Sequence, residues 1–150
     1  MSSLMSLIHT DRSGGQLWQG GTLDVWTAAS RGIKVVILAA EQLQPDKLPG
    51  APLILRSKLR DVGSMEPGEL AHTKAEARRL SDAAAAFIRT GVVVLSSCVS
   101  GFNRSGLISA LTLVKLGLTP DAAIEQVRKT RHEVFALNND LFVRVIRGQA

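Results

Sequence analysis

The sequence predicts a single α/β domain with a mostly parallel central sheet flanked by helices. Three observations lead to this fold class: the length, the apolar content and the alternation of two hydrophobic patterns. The chain has 150 residues and is 45% apolar, and natural domains most often run to roughly 100–150 residues. Short runs of β-branched residues alternate with longer segments of helical periodicity, as in parallel strands joined by helices. We assign residues 16–150 to this domain and predict a flexible N-terminal segment over residues 1–15.

The elements follow in chain order. Apolar or β-branched runs predict strands at residues 17–19, 33–38, 53–59 and 92–95. The second of these runs is almost continuously apolar, which is typical of a strand covered on both faces. Helical periodicity and capping signals predict helices over residues 23–29, 69–89 and 106–116, one that begins at 120 and a last one that ends at 146. Thr119 and Pro120 supply the N-cap and first position of the fourth helix, and residues 138–140 cap the last one.

The composition excludes several classes of protein. Cys98 is the only cysteine, so the chain cannot form an intramolecular disulfide or a zinc site of several thiolates. The longest apolar runs fall well short of the roughly 18 residues that cross a bilayer, which predicts no membrane span. The first residues lack the charge pattern and apolar core of a secretion signal, and they include Asp11 and Arg12. We therefore expect a cytoplasmic protein.

The charge favours anionic partners without specifying one. The chain has 18 Lys and Arg against 13 Asp and Glu, which gives a net charge of +5, and a basic surface attracts anions in general. The excess lies in residues 76–150. Because tyrosine is absent and only 2 Trp and 4 Phe could stack on bases, we interpret the charge as a solvated basic surface rather than a dedicated nucleic-acid groove.

The loop after the fourth predicted strand carries the candidate chemistry. Cys98 precedes Arg104 by six positions, between a buried strand and the start of a helix. The residues between them are Val99, Ser100, Gly101, Phe102 and Asn103. A tight loop that enters a helix can turn successive backbone N–H groups inward and add the positive end of the helix dipole, which suits a phosphate. Arg104 can hold two phosphate oxygens, and the same positive surroundings favour a nucleophilic Cys98 thiolate.

This loop resembles that of the cysteine-dependent phosphatases of the dual-specificity type, whose signature is Cys, five residues, Arg and then Ser or Thr. In this chain the signature falls on Cys98, Arg104 and Ser105. Residues 17–21 are similar to the family's opening strand and turn, and residues 32–38 to its first long strand. Residues 123–131, followed by Asn138 and Phe142, are similar to its closing helices.

The resemblance implies a mechanism and a substrate class. Cys98 would attack phosphorus, the backbone amides of residues 99–104 and the Arg104 side chain would hold the phosphoryl oxygens, and the Ser105 hydroxyl would help the thiolate leave. No metal or other cofactor is implied. The expected substrate is a phosphorylated protein.

The reaction also needs a general acid, which protonates the departing oxygen and later deprotonates water. Asp61 is the candidate, because it follows the third predicted strand on the loop where the resembling family carries its mobile acid. Glu66 and Glu69 are stand-ins on the same stretch. The chain departs from the family pattern at Ser97, where the family usually has a histidine whose ring supports the loop.

Three functions are open at this point. The first is a protein tyrosine or dual-specificity phosphatase. The second is an RNA 5′-triphosphatase of the same superfamily, because residues 101–106 resemble the loop of the metal-independent enzymes and the basic C-terminal half suits RNA. The third is a non-catalytic protein that binds a phosphorylated partner through the same loop, which the departure at Ser97 would favour.

Overall fold

The computed structural model describes residues 4–150, and its strands form one five-stranded sheet. The strands are Ser6–Thr10 (β1), Gln16–Gly20 (β2), Val35–Leu38 (β3), Leu53–Arg56 (β4) and Val93–Ser97 (β5). Their order in the sheet is β1-β2-β5-β3-β4. Only the pair β1 and β2 is antiparallel, and every other neighbouring pair is parallel. The predicted α/β class with a mostly parallel sheet is confirmed.

The helices lie close to their predicted positions. They are Thr22–Val25 (α1), Pro67–Arg89 (α2), Arg104–Lys115 (α3), Pro120–Thr130 (α4) and Asp140–Ile146 (α5). Helix α2 begins two residues earlier than predicted because Pro67 takes its first position, where proline costs no hydrogen bond. Helix α3 begins at Arg104 rather than at residue 106, which puts the candidate arginine in the first turn. Helix α1 is shorter than predicted, since the chain continues into a separate 3₁₀ turn at Ala29–Arg31.

Strand β1 lies inside the segment that the sequence analysis predicts to be flexible. Residues 1–3 of that segment are outside the described residues, but residues 6–10 pair with β2. Ile8 is 1% exposed, and its carbonyl accepts a hydrogen bond from Gln126 Nε2 of α4 at 2.8 Å. The pairing register shifts between Leu7 and His9, so the apolar alternation that would reveal a strand is broken. Residues 6–10 of the segment predicted to be flexible therefore form an edge strand of the sheet.

The two faces of the sheet are covered unequally. Helices α2 to α5 pack on one face around the larger core, in which Phe142, Leu107 and Leu80 are fully buried. The opposite face is covered by Val25 of α1, by Ala28 and Ile33 on either side of the 3₁₀ turn Ala29–Arg31, and by the segment around Leu48. None of the helices in residues 4–150 is long and apolar enough to cross a membrane.

The topology brings several strand ends together at one edge of the sheet. Strand β5 lies between β2 and β3, and Ser97 pairs with Gly20 on one side and Leu38 on the other. The segments that leave these three strands therefore begin side by side. Ligands of open parallel sheets bind at the carboxyl ends of the strands, which is where Cys98 follows β5.

Candidate active site

Cys98 lies at the centre of this edge. It directly follows β5, it is 2% exposed, and its N–H donates to the Gly20 carbonyl at 3.4 Å. Its Sγ lies 3.2 Å from Ser105 Oγ, in the first turn of α3. The sequence signature placed these two residues seven positions apart, and the loop brings their side chains within hydrogen-bonding distance.

The backbone between Cys98 and α3 is arranged as an anion site. The N–H groups of residues 99–103 donate no hydrogen bond to any residue from 4 to 150. Backbone donors are almost always satisfied in folded proteins, so a run of unpaired N–H groups before a helix N-terminus indicates that an external acceptor completes them. A phosphate or another tetrahedral oxyanion is the acceptor that such a loop suits.

The turn of the loop depends on Gly101. Its φ is +79°, and a Cβ at this position would lie 2.5 Å from the Gly20 carbonyl carbon. The Gly101 carbonyl is held by Gln19 Nε2 at 3.0 Å and by Arg131 Nε at 2.9 Å. Two side chains thus fix the direction of this peptide, and glycine is the residue that fits between the loop and β2.

Arg104 occupies the first position of α3. Its Nη1 donates to the Leu59 carbonyl at 3.3 Å, whereas its buried Nε has no partner among the described residues. Since an unsatisfied buried donor is costly, the Arg104 Nε is a second indication that a ligand oxygen is expected here.

These groups surround a cavity of about 260 Å³. Its lining consists of Asp61, Cys98, Ser100, Phe102, Asn103, Arg104, Phe135 and Asn138. Val99, Gly101 and Ser105 are not among the lining residues. The Ser105 Oγ, in the first turn of α3, lies 3.2 Å from the Cys98 Sγ. The structure therefore brings the sequence-predicted site residues into one place.

Asp61 is held at the rim by two asparagines. Its Oδ1 accepts from Asn139 Nδ2 at 2.7 Å, and its Oδ2 accepts from Asn103 Nδ2 at 3.0 Å. Glu66 and Glu69, the stand-ins for the acid, do not line the cavity. Glu69 binds Arg60 instead, Nε to Oε2 at 2.6 Å, and this hydrogen bond lowers the pKa of Glu69.

Arg131 adds a second cation behind the loop. Its side chain lies 5.3 Å from the Phe102 ring centroid and donates to the Ser100 carbonyl at 3.4 Å. Burial lowers the pKa of Arg131, while the charges of Asp24 and Cys98 act to raise it.

Three residues of the site were not identified from the sequence. Asn139 was predicted only as part of a helix cap, and Phe135 had no motif. Gln44, whose Nε2 lies 3.4 Å from the Cys98 carbonyl oxygen, lay in a segment predicted as a loop. Phe135 packs on Phe102 and His132, with ring centroids 5.7 and 4.7 Å away, and it is 50% exposed at the cavity mouth. The pair Asn138 and Asn139 was the one signal in the sequence that pointed to this region.

Comparison of the sequence with protein-family models gives no match, and comparison with curated proteins gives none. The structure is similar to that of DUSP15, with a TM-score of 0.75 and 18% identity over 98% of this chain and 87% of that chain. Human DUSP28 gives a TM-score of 0.69 and 20% identity over 96% of this chain and 94% of that chain. The human tyrosine phosphatase-like serine/threonine/tyrosine-interacting protein gives a TM-score of 0.70 and 15% identity over 98% of this chain and 95% of that chain.

The chain therefore has the fold of the dual-specificity type of the cysteine-dependent protein tyrosine phosphatases. Among residues 4–150, no three His, Cys, Asp or Glu side chains cluster as a metal site requires.

Proposed function

We propose that this protein is a cysteine-dependent phosphatase of protein phosphotyrosine or of dual specificity. One observation carries the proposal: Cys98 lines a cavity whose other walls offer unpaired backbone N–H groups, the Arg104 guanidinium and the Asp61 carboxyl group. A thiol, a tetrahedral anion site and a carboxyl group are together the set that two-step phosphate transfer needs.

In the first step, the Cys98 thiolate forms a bond to phosphorus and the bond from phosphorus to the substrate oxygen breaks. Asp61, as the carboxylic acid, gives its proton to that oxygen, so that an alcohol or phenol leaves. The N–H groups of residues 99–103 and Arg104 bind the three equatorial oxygens and stabilise their charge in the transition state.

In the second step, water attacks the cysteinyl-phosphate. Asp61, now a carboxylate, takes a proton from the water as the oxygen–phosphorus bond forms and the sulfur–phosphorus bond breaks. The Ser105 hydroxyl, 3.2 Å from Sγ, donates to the departing thiolate. Inorganic phosphate is released and the resting enzyme is restored.

The test is hydrolysis of p-nitrophenyl phosphate in chelator, from about pH 5 to pH 8, by the wild type and by Cys98→Ser. We expect turnover in the wild type and its complete loss in the variant, because a serine hydroxyl is not ionised in this range. Thermal unfolding of both proteins is the control that the variant is folded. The contrary result is a folded wild type that hydrolyses nothing while inorganic phosphate still protects Cys98 from an alkylating reagent. That pair of results would favour the phosphate-binding alternative.

The same preparation separates the substrate classes. Phosphotyrosine and phosphoserine peptides test the protein phosphatase proposal, and triphosphate-ended RNA tests the alternative. Release of phosphate from RNA that falls steeply with salt, with little activity on peptides, would replace the proposal with the RNA triphosphatase.

We also propose that the protein acts in the cytoplasm, where its single thiol stays reduced.

A further inference from the structure

Ser97 lies directly before the nucleophile and is fully buried. Its hydroxyl donates to the Ile37 carbonyl of β3 at 2.6 Å. The single proton of the Ser97 hydroxyl is therefore donated to β3. Towards the neighbouring loop, the Ser97 oxygen can only accept a hydrogen bond. Any donor that supports the Cys98 backbone must come from another residue.

Gln44 provides such a donor from a different part of the chain. It follows the 3₁₀ turn Glu41–Leu43 and is 9% exposed. Its Nε2 lies 3.1 Å from Ser97 Oγ and 3.4 Å from the Cys98 carbonyl oxygen. The Gln44 Oε1 accepts the Ala40 N–H at 2.9 Å, which fixes which end of the amide faces Cys98.

The geometry points to Gln44 as the residue that positions the nucleophile, through its amide hydrogen bonds to Ser97 and to the Cys98 carbonyl. This inference rests on the proposed phosphatase chemistry and identifies the residue that positions its nucleophile. The resemblance predicts a histidine for this support, and here a glutamine from the segment between β3 and β4 supplies it.

The effect follows from the planarity of the peptide bond. The Cys98 carbonyl and the Val99 N–H belong to one trans peptide and point in opposite directions. A carbonyl held on the side of Gln44 and of Thr22, whose Oγ1 is 3.3 Å away, therefore directs the Val99 N–H away from them. Donation to the carbonyl oxygen also offsets its negative charge, which would otherwise disfavour a thiolate on the same residue.

Alkylation of Cys98 by iodoacetamide measures this effect without requiring turnover. Cys98 is the only cysteine, so the rate between about pH 4 and pH 9 reports on that thiolate alone. Gln44→Met removes the donor and keeps the length of the side chain. Gln44→Glu keeps an acceptor for Ala40 N–H but replaces the donor that faces Cys98 with a second acceptor.

A matched control is Gln126→Met, since Gln126 also donates from a partly buried side chain to a strand carbonyl, that of Ile8, but in another region. The charged and titratable groups around the loop are Asp24, Asp61, Arg104, Arg131 and His132. Gln44→Met and Gln126→Met change none of them, whereas Gln44→Glu also adds one carboxylate beside Cys98. Thermal unfolding of each protein shows which variants are folded.

We expect both Gln44 variants to move the midpoint of alkylation to higher pH and to slow alkylation below the wild-type midpoint by about three- to tenfold, the factor for one lost hydrogen bond. The effect of Glu should equal or exceed that of Met, and Gln126→Met should match the wild type. If Gln44→Glu keeps the wild-type midpoint, Gln44 serves only to hold Ala40 and the inference is overturned. A wild type that alkylates as a thiolate but hydrolyses no phosphate would remove the proposed function and leave the role of Gln44 in place.

Discussion

Asp61 is a residue whose role depends on partners that are distant in sequence. The sequence favours Asp61 as the general acid by its place after the third predicted strand, with Glu66 and Glu69 as stand-ins on the same stretch. The structure lines the cavity with Asp61, while Glu69 binds Arg60. Asn139 contributes in two ways, because its Oδ1 caps α5 through the Phe142 N–H at 3.1 Å and its Nδ2 binds Asp61. The sequence shows only the local role of such a residue.

Replacement of Asp61 tests the assignment of the acid. We expect Asp61→Asn to lower kcat for a substrate with a poor leaving group by about 10²- to 10⁴-fold, the usual contribution of a general acid. p-Nitrophenyl phosphate should be affected less, because its leaving group needs little protonation. The steady-state rates on both substrates measure this difference, with Glu66→Gln as the control. Equal rates for Asp61→Asn and the wild type would move the role to another group.

At the scale of elements, the segment between α4 and α5 forms the mouth of the cavity. Phe102 from the loop after β5 meets His132 and Phe135 from this segment, with ring centroids 5.8 and 5.7 Å from that of Phe102. Phe102 and Phe135 both line the cavity, and half of Phe135 is exposed. This aromatic surface suits a substrate that carries its phosphate on a ring.

Phe135→Ala is expected to raise KM for a phosphotyrosine peptide by about two- to tenfold, the value of one aromatic pair, and to leave KM for a phosphoserine peptide nearly unchanged. The neighbouring Val134→Ala is the control, since Val134 is 68% exposed and does not line the cavity. An equal rise in KM for both peptides would show that Phe135 shapes the loop rather than contacting the substrate ring.

Helix α2 is joined to the end of β4 by a charged cluster. Glu76 Oε1 accepts from the buried Ser57 hydroxyl at 3.0 Å, and Glu76 Oε2 accepts from Arg79 Nε at 2.9 Å. These contacts, the Arg79 hydrogen bond above all, lower the pKa of Glu76 to about 2. A carboxyl pKa depressed in the folded state contributes stability above the unfolded value of about 4.3, and this contribution is lost as pH falls towards 2.

We therefore expect Glu76→Gln to lower the free energy of unfolding by about 1–2 kcal/mol at pH 7. The difference from the wild type should shrink steadily below about pH 4. Urea unfolding at several pH values measures it, and Glu125→Gln, on the exposed side of α4, is the control. A difference that stays constant down to the lowest pH would mean that packing, and not the charge of Glu76, joins α2 to β4.

The elements themselves show why some were predictable and others were not. β3 and β5 are buried on both faces, so their residues form apolar runs that identify a strand without further knowledge. Helix α4 has a Thr119 cap that accepts the Ala122 N–H at 3.2 Å, and this local signal placed it correctly. β1 carries an irregular register at the sheet edge, and its burial comes from α4, more than 110 residues away. Such an element is defined by its tertiary contacts.

At the scale of the whole molecule, the site is assembled by the strand order. Cys98, Ser105 and the N–H groups between them are contiguous, which is why the sequence identified them together. Gln44, Asp61 and Asn139 reach the same place from segments after β3, after β4 and before α5. The convergence of Gln44 and Asp61 follows from the parallel arrangement of β5, β3 and β4. Asn139 joins them through its hydrogen bonds with Asp61 and Asn103, and no spacing in the sequence encodes either arrangement.

Because Cys98 is the only cysteine, the response of the protein to oxidation can also be predicted. A Cys98 thiolate attacks hydrogen peroxide to give a sulfenic acid and hydroxide, and without a second cysteine no intramolecular disulfide can trap that acid. We expect brief peroxide treatment to abolish hydrolysis of an aryl phosphate. Added thiol should restore it, because two thiols reduce the sulfenic acid to Cys98 with release of water and a disulfide of the reagent.

Inorganic phosphate provides the control for this prediction. Bound in the cavity, it covers Sγ and should slow inactivation in proportion to its occupancy, whereas chloride at equal ionic strength should not. Mass spectrometry before and after thiol treatment follows the added oxygen on Cys98. Full activity after peroxide would contradict a reactive thiolate at this position, and inactivation that phosphate does not slow would place the damage outside the cavity, at one of the methionines.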